Sequence, residues 1–303
     1  MTNHTSLKPD GRFLLLKHPL IVLGLIAALA APTLQANQTI APGNYTSMFL
    51  HADGTVWACG LNNGALGVTY TSEHVKVPEQ VLTGVRDVKS KSTSSYTSFF
   101  IKEDGTAWGV GSNSYGMLGD GTGKSHTTPV SLGISNVKDI SPGWGHTLFL
   151  KEDGTAWGTG HNSWGEMGIQ GASTTKVPLL VMSDVKAISS GAYFSMYLQD
   201  DGKVWTSGAN HWGQLGLGDN DDRFEPTFVM DGVIAIAGGF NHALFLKEDG
   251  SLWGSGDNTY GQLGTDTITS TTVPVHIMDG VKGMSASRYH TIIIAVDDSL
   301  WGT

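Results

Sequence analysis

The sequence predicts an all-β protein built from repeats of about 48–51 residues. Two observations support this prediction: a composition rich in glycine and tryptophan, and a regular spacing of the tryptophans. Of the 303 residues, 41 are glycine and nine are tryptophan, and only 15% are charged. Hydrophobic residues still make up 40% of the chain. A packed core can therefore form, which excludes a disordered chain.

The repeat is visible in residues that recur at the same phase. An aspartate lies four residues before each in-phase tryptophan, and glycine follows that aspartate in the first five units, with Asp298 in the sixth. The in-phase tryptophans are Trp57, Trp108, Trp157, Trp205, Trp253 and Trp301. Five of the ten prolines also recur in phase: Pro78, Pro129, Pro178, Pro226 and Pro274.

Each unit predicts about four strands. In the third unit, alternating residues 147–151 lead to an Asp153-Gly154 turn, and residues 155–158 run back, which is a strong hairpin signal. A Gly-x-Asn-x-x-Gly-Gln-Leu-Gly segment follows, and its glycines predict a shaped loop. Strands after the in-phase proline, as at 274–277, and at 137–140 complete the set. Four strands per repeat predict the blades of a β-propeller; a β-solenoid is the alternative, but its repeats are usually shorter.

Residues 143–160, G-W-G-H-T-L-F-L-K-E-D-G-T-A-W-G-T-G, resemble the regulator of chromosome condensation repeat. The resemblance extends over about residues 38–303 and implies a seven-bladed propeller. The chain supplies five full repeats and a half. Both ends hold the same half of a repeat, so we expect an open ring or a piece of a longer chain. The predicted repeats are 38–87, 88–137, 138–185, 186–233 and 234–281, with a partial repeat at 282–303.

Residues 1–36 are typical of a secretory signal peptide. Basic residues precede a 12-residue apolar run at 20–31, and a small residue, Ala36, offers a cleavage site before Asn37. An uncleaved anchor is the alternative, but a span takes about 20 apolar residues. We expect the mature domain, residues 37–303, to be secreted, periplasmic or at the cell surface, with no membrane contact after signal removal.

Charge and side-chain chemistry argue against several function classes. Residues 1–36 hold three of the 18 basic and one of the 27 acidic residues, so residues 37–303 carry a net charge of −11. Such a surface repels nucleic acid. No catalytic constellation, phosphate-binding loop or cofactor motif stands out, so we predict neither an enzyme nor a cofactor.

Candidate metal ligands and the lone cysteine have structural interpretations. His146, His242 and His290 share one phase, which spreads them around the propeller axis, so no metal site is predicted. The run at 219–222 lacks the glycine and the glutamate of a calcium loop. Cys59 occupies a position where later units have small core residues.

Aromatic residues outside the core phase give the candidate binding face. One set precedes the second strand of each unit and is expected in loops at one end of the propeller, where Arg288 adds a charge. Packing is the alternative interpretation of this set. The candidate residues are Tyr45, Tyr96, Trp144, Tyr193, Phe240, Arg288 and Tyr289. A second set is expected to pack each loop against the next blade: Tyr115, Trp164, Trp212 and Tyr260.

These observations predict an exported, non-catalytic scaffold that binds an unidentified protein through loops on one face. A surface glycan is the alternative ligand, because sugars also stack on aromatic rings. The resemblance also implies guanine nucleotide exchange as a further alternative, although export would separate the chain from a nuclear GTPase.

Overall fold

The computed structural model describes residues 39–43, 45–62, 64–68, 73–91 and 96–303. The predicted signal peptide, residues 1–36, lies outside them. All regular elements among the described residues are β-strands, and no helix there is long and apolar enough to span a bilayer.

Across the described residues, 23 strands form six antiparallel sheets, which we number as blades 1–6 in chain order. The strands of blades 1–3 are β1 Thr39–Pro42, β2 Thr46–Leu50, β3 Val56–Leu61, β4 His74–Leu82, β5 Val85–Ser90, β6 Thr97–Lys102, β7 Ala107–Gly111, β8 His126–Ser131, β9 Val137–Pro142, β10 His146–Lys151, β11 Ala156–His161 and β12 Thr174–Met182. Those of blades 4–6 are β13 Val185–Ser190, β14 Phe194–Gln199, β15 Val204–Gly208, β16 Arg223–Met230, β17 Val233–Gly238, β18 His242–Lys247, β19 Leu252–Gly256, β20 Thr271–Met278, β21 Val281–Ala286, β22 Thr291–Ala295 and β23 Leu300–Gly302.

The all-β propeller prediction is confirmed. Blades 1–5 have four strands each and blade 6 has three, and each strand pairs with its chain neighbour. The first strand of every blade contacts the first strand of the next, from β1 to β21. Within the described ranges no such packing joins blade 6 to blade 1, so these six blades do not close into a ring.

The hydrophobic core lies between successive blades. Phe99 of blade 2 meets Phe149 of blade 3 edge to face, with ring centroids 6.2 Å apart. Leu118 and Ile140 pack in the same cluster. Each blade therefore buries its apolar face only against a neighbour, which is how repeat folds gain stability.

The Asp-Gly hairpins form as the local sequence predicts. In blade 3, Phe149 pairs with Trp157 across the hairpin. Gly154 adopts a φ of +77°, a conformation that costs other residues energy. Hydrogen bonds from the Thr155 hydroxyl and then its amide lower the pKa of Asp153, and the Trp157 indole donates to the same hydroxyl at 2.8 Å.

The prediction of a strand that starts at the in-phase proline is wrong in its boundary. β12 already begins at Thr174 and β20 at Thr271, so Pro178 and Pro274 lie inside the fourth strands. These are edge strands, and the pairing register shifts at the prolines. An edge strand at an irregularity needs no amide donor there, so proline is tolerated.

Candidate functional site

The candidate loops follow the first strand of each blade and lie at one end of the propeller. Trp144 follows β9, and Tyr193 and Phe240 occupy the same loop in blades 4 and 5. The Trp144 amide donates to the Ala192 carbonyl at 2.9 Å, and the Ala192 amide donates to the Phe240 carbonyl at 3.2 Å. Backbone hydrogen bonds therefore connect these loops from blade to blade.

The rings on these loops contact one another in series. Ring centroids lie 5.4 Å apart between Trp144 and Tyr193, 5.8 Å between Tyr193 and Phe240, and 6.2 Å between Phe240 and Tyr289. Trp144, Tyr193 and Phe240 are half-buried, whereas Tyr289 is exposed. Four of the predicted residues therefore form one continuous apolar strip.

The second aromatic set joins this strip from the preceding blade. Tyr115 contacts Trp144 at 5.5 Å, Trp164 contacts Tyr193 at 5.2 Å, and Tyr260 contacts Tyr289 at 5.1 Å between centroids. The three rings thus pack against the next blade, yet Tyr260 remains 68% and Trp164 36% exposed. We call the combined surface the aromatic belt: Tyr115, Trp144, Trp164, Tyr193, Phe240, Tyr260 and Tyr289.

Three residues of the two predicted aromatic sets lie outside the belt. Tyr45 and Tyr96 are exposed and have left-handed backbones, with φ of 68° and 55°. Trp212 is 44% exposed. Among the described residues, none of the three makes a ring contact. The predicted set is therefore divided, and Tyr45 and Tyr96 stand apart from the belt.

Arg288 lies on blade 6, next to the belt residue Tyr289. Its guanidinium carbon is 4.8 Å from the Phe240 ring centroid and 5.1 Å from that of Tyr289. Both distances are within the range of a cation–π contact. The side chain is exposed.

The His161 ring, paired with the buried Glu166 carboxylate, packs against two rings of the belt. His161 Nδ1 lies 2.5 Å from Glu166 Oε1, and the His161 ring contacts Tyr115 at 5.1 Å and Trp164 at 5.4 Å. Burial, and then the Glu166 carboxylate, raises the pKa of Tyr193, so its phenol stays neutral at physiological pH. Sequence reasoning did not single out His161 or Glu166, although Glu166 stands where the repeated Gly-Gln-Leu-Gly motif has glutamine.

Two of the in-phase histidines connect neighbouring blades. His146 Nε2 lies 3.1 Å from the Ser195 hydroxyl of blade 4, and His242 Nε2 lies 3.2 Å from the Thr291 hydroxyl of blade 6. Burial, followed by the nearby Lys91, lowers the pKa of His146 to about 3 and that of His242 to about 4. Both are neutral side chains between blades. Within the described ranges no three metal-binding side chains cluster together.

The Lys91 side chain extends from blade 2 to the first strands of blades 4 and 5. Its ammonium donates to the Gly238 carbonyl of blade 5 at 2.7 Å and also to the Ser190 carbonyl of blade 4. Burial lowers the pKa of Lys91 to about 8. The residue therefore connects blade 2 to blades 4 and 5.

Fold and site together define a repeat β-propeller with a contiguous aromatic surface at one end. The chain belongs to the RCC1-like domain family, whose sequence profile matches residues 23–303. A comparison with curated protein sequences finds no match.

Solved structures support the fold. The chain is similar to yeast RCC1 (Prp20) in its complex with Kap60, with a TM-score of 0.75, 21% identity, and coverage of 87% of this chain and 69% of that one. Human WBSCR16 gives a TM-score of 0.76 at 18% identity, covering 89% and 76%. The ectodomain of the Physcomitrella patens receptor kinase CR4 gives 0.56 at 13% identity, covering 87% and 62%. At these identities the likeness concerns the fold.

Proposed function

We propose that the protein is an exported, non-catalytic scaffold that binds another protein through the aromatic belt. The observation that carries the proposal is the belt itself, seven aromatic rings in contact along one end of blades 2–6. Tyrosine, tryptophan and arginine are the residues that dominate binding energy at protein interfaces. RCC1-like structures in complexes, such as yeast RCC1 with Kap60, support a protein partner.

The belt is organised before any partner arrives. Its loops are hydrogen-bonded to one another through Trp144, Ala192 and Phe240, and each belt ring rests on at least one other. Such rings lose little conformational freedom on binding, so more of the contact energy appears as affinity. A rigid apolar surface of this kind favours protein binding over catalysis.

Ring orientation favours a protein over a glycan. Tyr193 meets Trp164 at 83° and Phe240 at 88° between ring planes, so the edge of one ring faces the plane of another. Sugars stack on open ring faces, and in these two contacts the edge of one ring occupies a face of the other. Protein side chains can pack against ring edges as well as faces.

Alanine substitutions in the belt test the proposal. We expect Trp144→Ala and Phe240→Ala to weaken partner binding by about 2 kcal/mol or more, roughly 30-fold in Kd. Trp212→Ala is the matched control, because Trp212 is exposed but lies outside the belt. Proteins captured from the culture medium by the wild-type chain are first identified. Each is then titrated by calorimetry against the wild type and the three variants. Equal affinities for wild type and both belt variants would refute the belt as the binding site.

Export needs a separate measurement, because residues 1–36 lie outside the described structure. N-terminal sequencing of the product from the medium or periplasm should begin at Asn37. A cytosolic product that keeps Met1 would contradict the export part of the proposal and restore nucleotide exchange as an alternative.

A further inference from the structure

Arg288 is the second residue of its loop, the position that Trp144, Ala192 and Phe240 hold in blades 3–5. All three of those residues are uncharged, and Trp144 and Phe240 are themselves rings of the belt. The packing of the loop therefore accepts side chains from alanine to tryptophan here and does not require a charge. The charge is specific to one end of the belt.

The contacts of Arg288 use its flat face and leave its N–H groups unused. Of the three arginines that the structure describes, Arg86 pairs with Glu152 at 3.0 Å and Arg223 with Asp219 at 2.6 Å. Arg288 makes no ion pair or hydrogen bond with another described residue. Its guanidinium lies over Phe240 and Tyr289, and the side chain is exposed, so its donors are open to a ligand.

We propose that the belt binds a segment of a partner protein that carries one carboxylate flanked by apolar side chains, and that Arg288 binds this carboxylate. The inference rests on the proposed function and names the chemistry of the partner. A guanidinium offers two parallel N–H donors that match the two oxygens of a carboxylate. The neighbouring rings hold the guanidinium in place and exclude water when a partner covers them, which strengthens the ion pair.

The charge of the whole protein favours a single carboxylate over an acidic run. Residues 37–303 carry a net charge of −11, which repels a strongly acidic partner. One carboxylate set among apolar residues avoids most of this repulsion. The remaining contacts of the segment are then made by the apolar rings of the belt.

A displayed library of random 12-residue peptides provides the probe. Peptides are selected against the folded wild-type chain, and the enriched ones are synthesised and titrated by calorimetry. We expect one aspartate or glutamate next to aromatic or leucine residues. Arg288→Gln should weaken these peptides about tenfold or more, and changing the peptide's acid to its amide should cause a similar loss. The two losses should not add in the double variant, because both remove the same ion pair.

Two control variants make the outcome specific. Arg86→Gln removes the same charge at the opposite end of the molecule and should leave peptide affinity unchanged. Arg288→Lys keeps the charge but not the paired donors, so it should restore only part of the affinity. Circular dichroism and a thermal melt establish that each variant is folded.

The possible failures separate this inference from the proposed function. Enriched peptides without an acid, or acidic peptides that bind Arg288→Gln as tightly as wild type, would overturn the carboxylate inference. If such peptides still lose affinity on Trp144→Ala, the belt remains the binding site. A library that yields no binder, or binders insensitive to Trp144→Ala, counts against both.

Discussion

Glu166 is the one charged residue at a position that other described loops fill with Ala65, Met117, Gln214 or Gln262. It is buried, its Oε2 accepts from the Trp164 amide at 3.0 Å, and its Oε1 faces His161. A glutamine at this position makes the same amide contact, as Gln214 does with Trp212 at 2.9 Å. The charge is therefore not needed to shape the loop.

Replacing Glu166 separates hydrogen bonding from charge. We expect Glu166→Gln to change the free energy of unfolding by less than about 1 kcal/mol, because the amide keeps both partners. Glu166→Leu should cost about 2–3 kcal/mol, since the Trp164 amide and His161 both lose a buried partner. Urea unfolding at neutral pH measures both. Equal costs in the two variants would show that the carboxylate charge itself is required.

Lys91 is expected to make stability depend on pH. Its pKa falls from 10.5 in the unfolded chain to about 8 in the fold. Between these values the unfolded state binds more protons, so the stability due to this residue rises with pH. Relative to Lys91→Met, wild type should gain about 1 kcal/mol per pH unit between pH 8 and 10. Urea titrations at pH 7.5, 8.5 and 9.5 test this; a difference that does not change with pH would contradict it.

At the scale of the element, a buried asparagine shapes the Gly-x-Asn loops of blades 2–5. The Oδ1 atom of Asn210 accepts from the buried Leu215 amide at 3.0 Å, and its Nδ2 donates to the Asp219 carbonyl at 2.9 Å. The same acceptor role recurs at Asn113, Asn162 and Asn258, with donor distances of 2.8–2.9 Å. The asparagine side chain thus hydrogen-bonds to both sides of the loop, which glycine cannot do because it has no side chain.

Asn210→Ala should therefore cost about 2–3 kcal/mol of stability, because a buried amide and a carbonyl lose their partners. Asn220→Ala in the same loop is the matched control. Asn220 is exposed and donates only to carbonyls at 3.2 and 3.3 Å, so its loss should stay within about 0.5 kcal/mol. Thermal melts of the two variants compare them. Equal losses would show that the loop does not depend on Asn210.

Local features of these elements could be predicted from the sequence, and so could the packing of Tyr115 against the next blade, but the ring that it contacts there could not. The Asp153-Gly154 hairpin depends on neighbouring residues, and its register follows from the alternation. The contact between Tyr115 and Trp144 joins different units, so it depends on how the blades are placed around the axis. The sequence predicts strands that follow the in-phase prolines, because proline lacks the amide donor that a paired strand uses. Its tolerance at Pro178 depends on β12 being an edge.

At the scale of the molecule, the burial of the second strand differs between blades 2–5 and the two terminal blades, 1 and 6. The second strands of blades 2–5 are buried at five successive positions, as in β10 and β14. In β2 of blade 1 and β22 of blade 6, every second residue is only half-buried. Phe49 and Ile294 are among these half-buried residues. Among the described blades, each of these two has one apolar face without a neighbouring blade.

Amide hydrogen exchange should show this gradient along the chain. Each blade gains stability from its neighbours, and blades 1 and 6 have one described neighbour instead of two. Local opening therefore needs less free energy at β2 and β22 than at β10 and β14, and their amides should exchange at least about tenfold faster. Mass spectrometry of peptides that cover these four strands compares chemically similar positions, because each is the second strand of its blade. Equal protection in all four would mean that the faces of blades 1 and 6 are covered in solution, so that the ring behaves as closed.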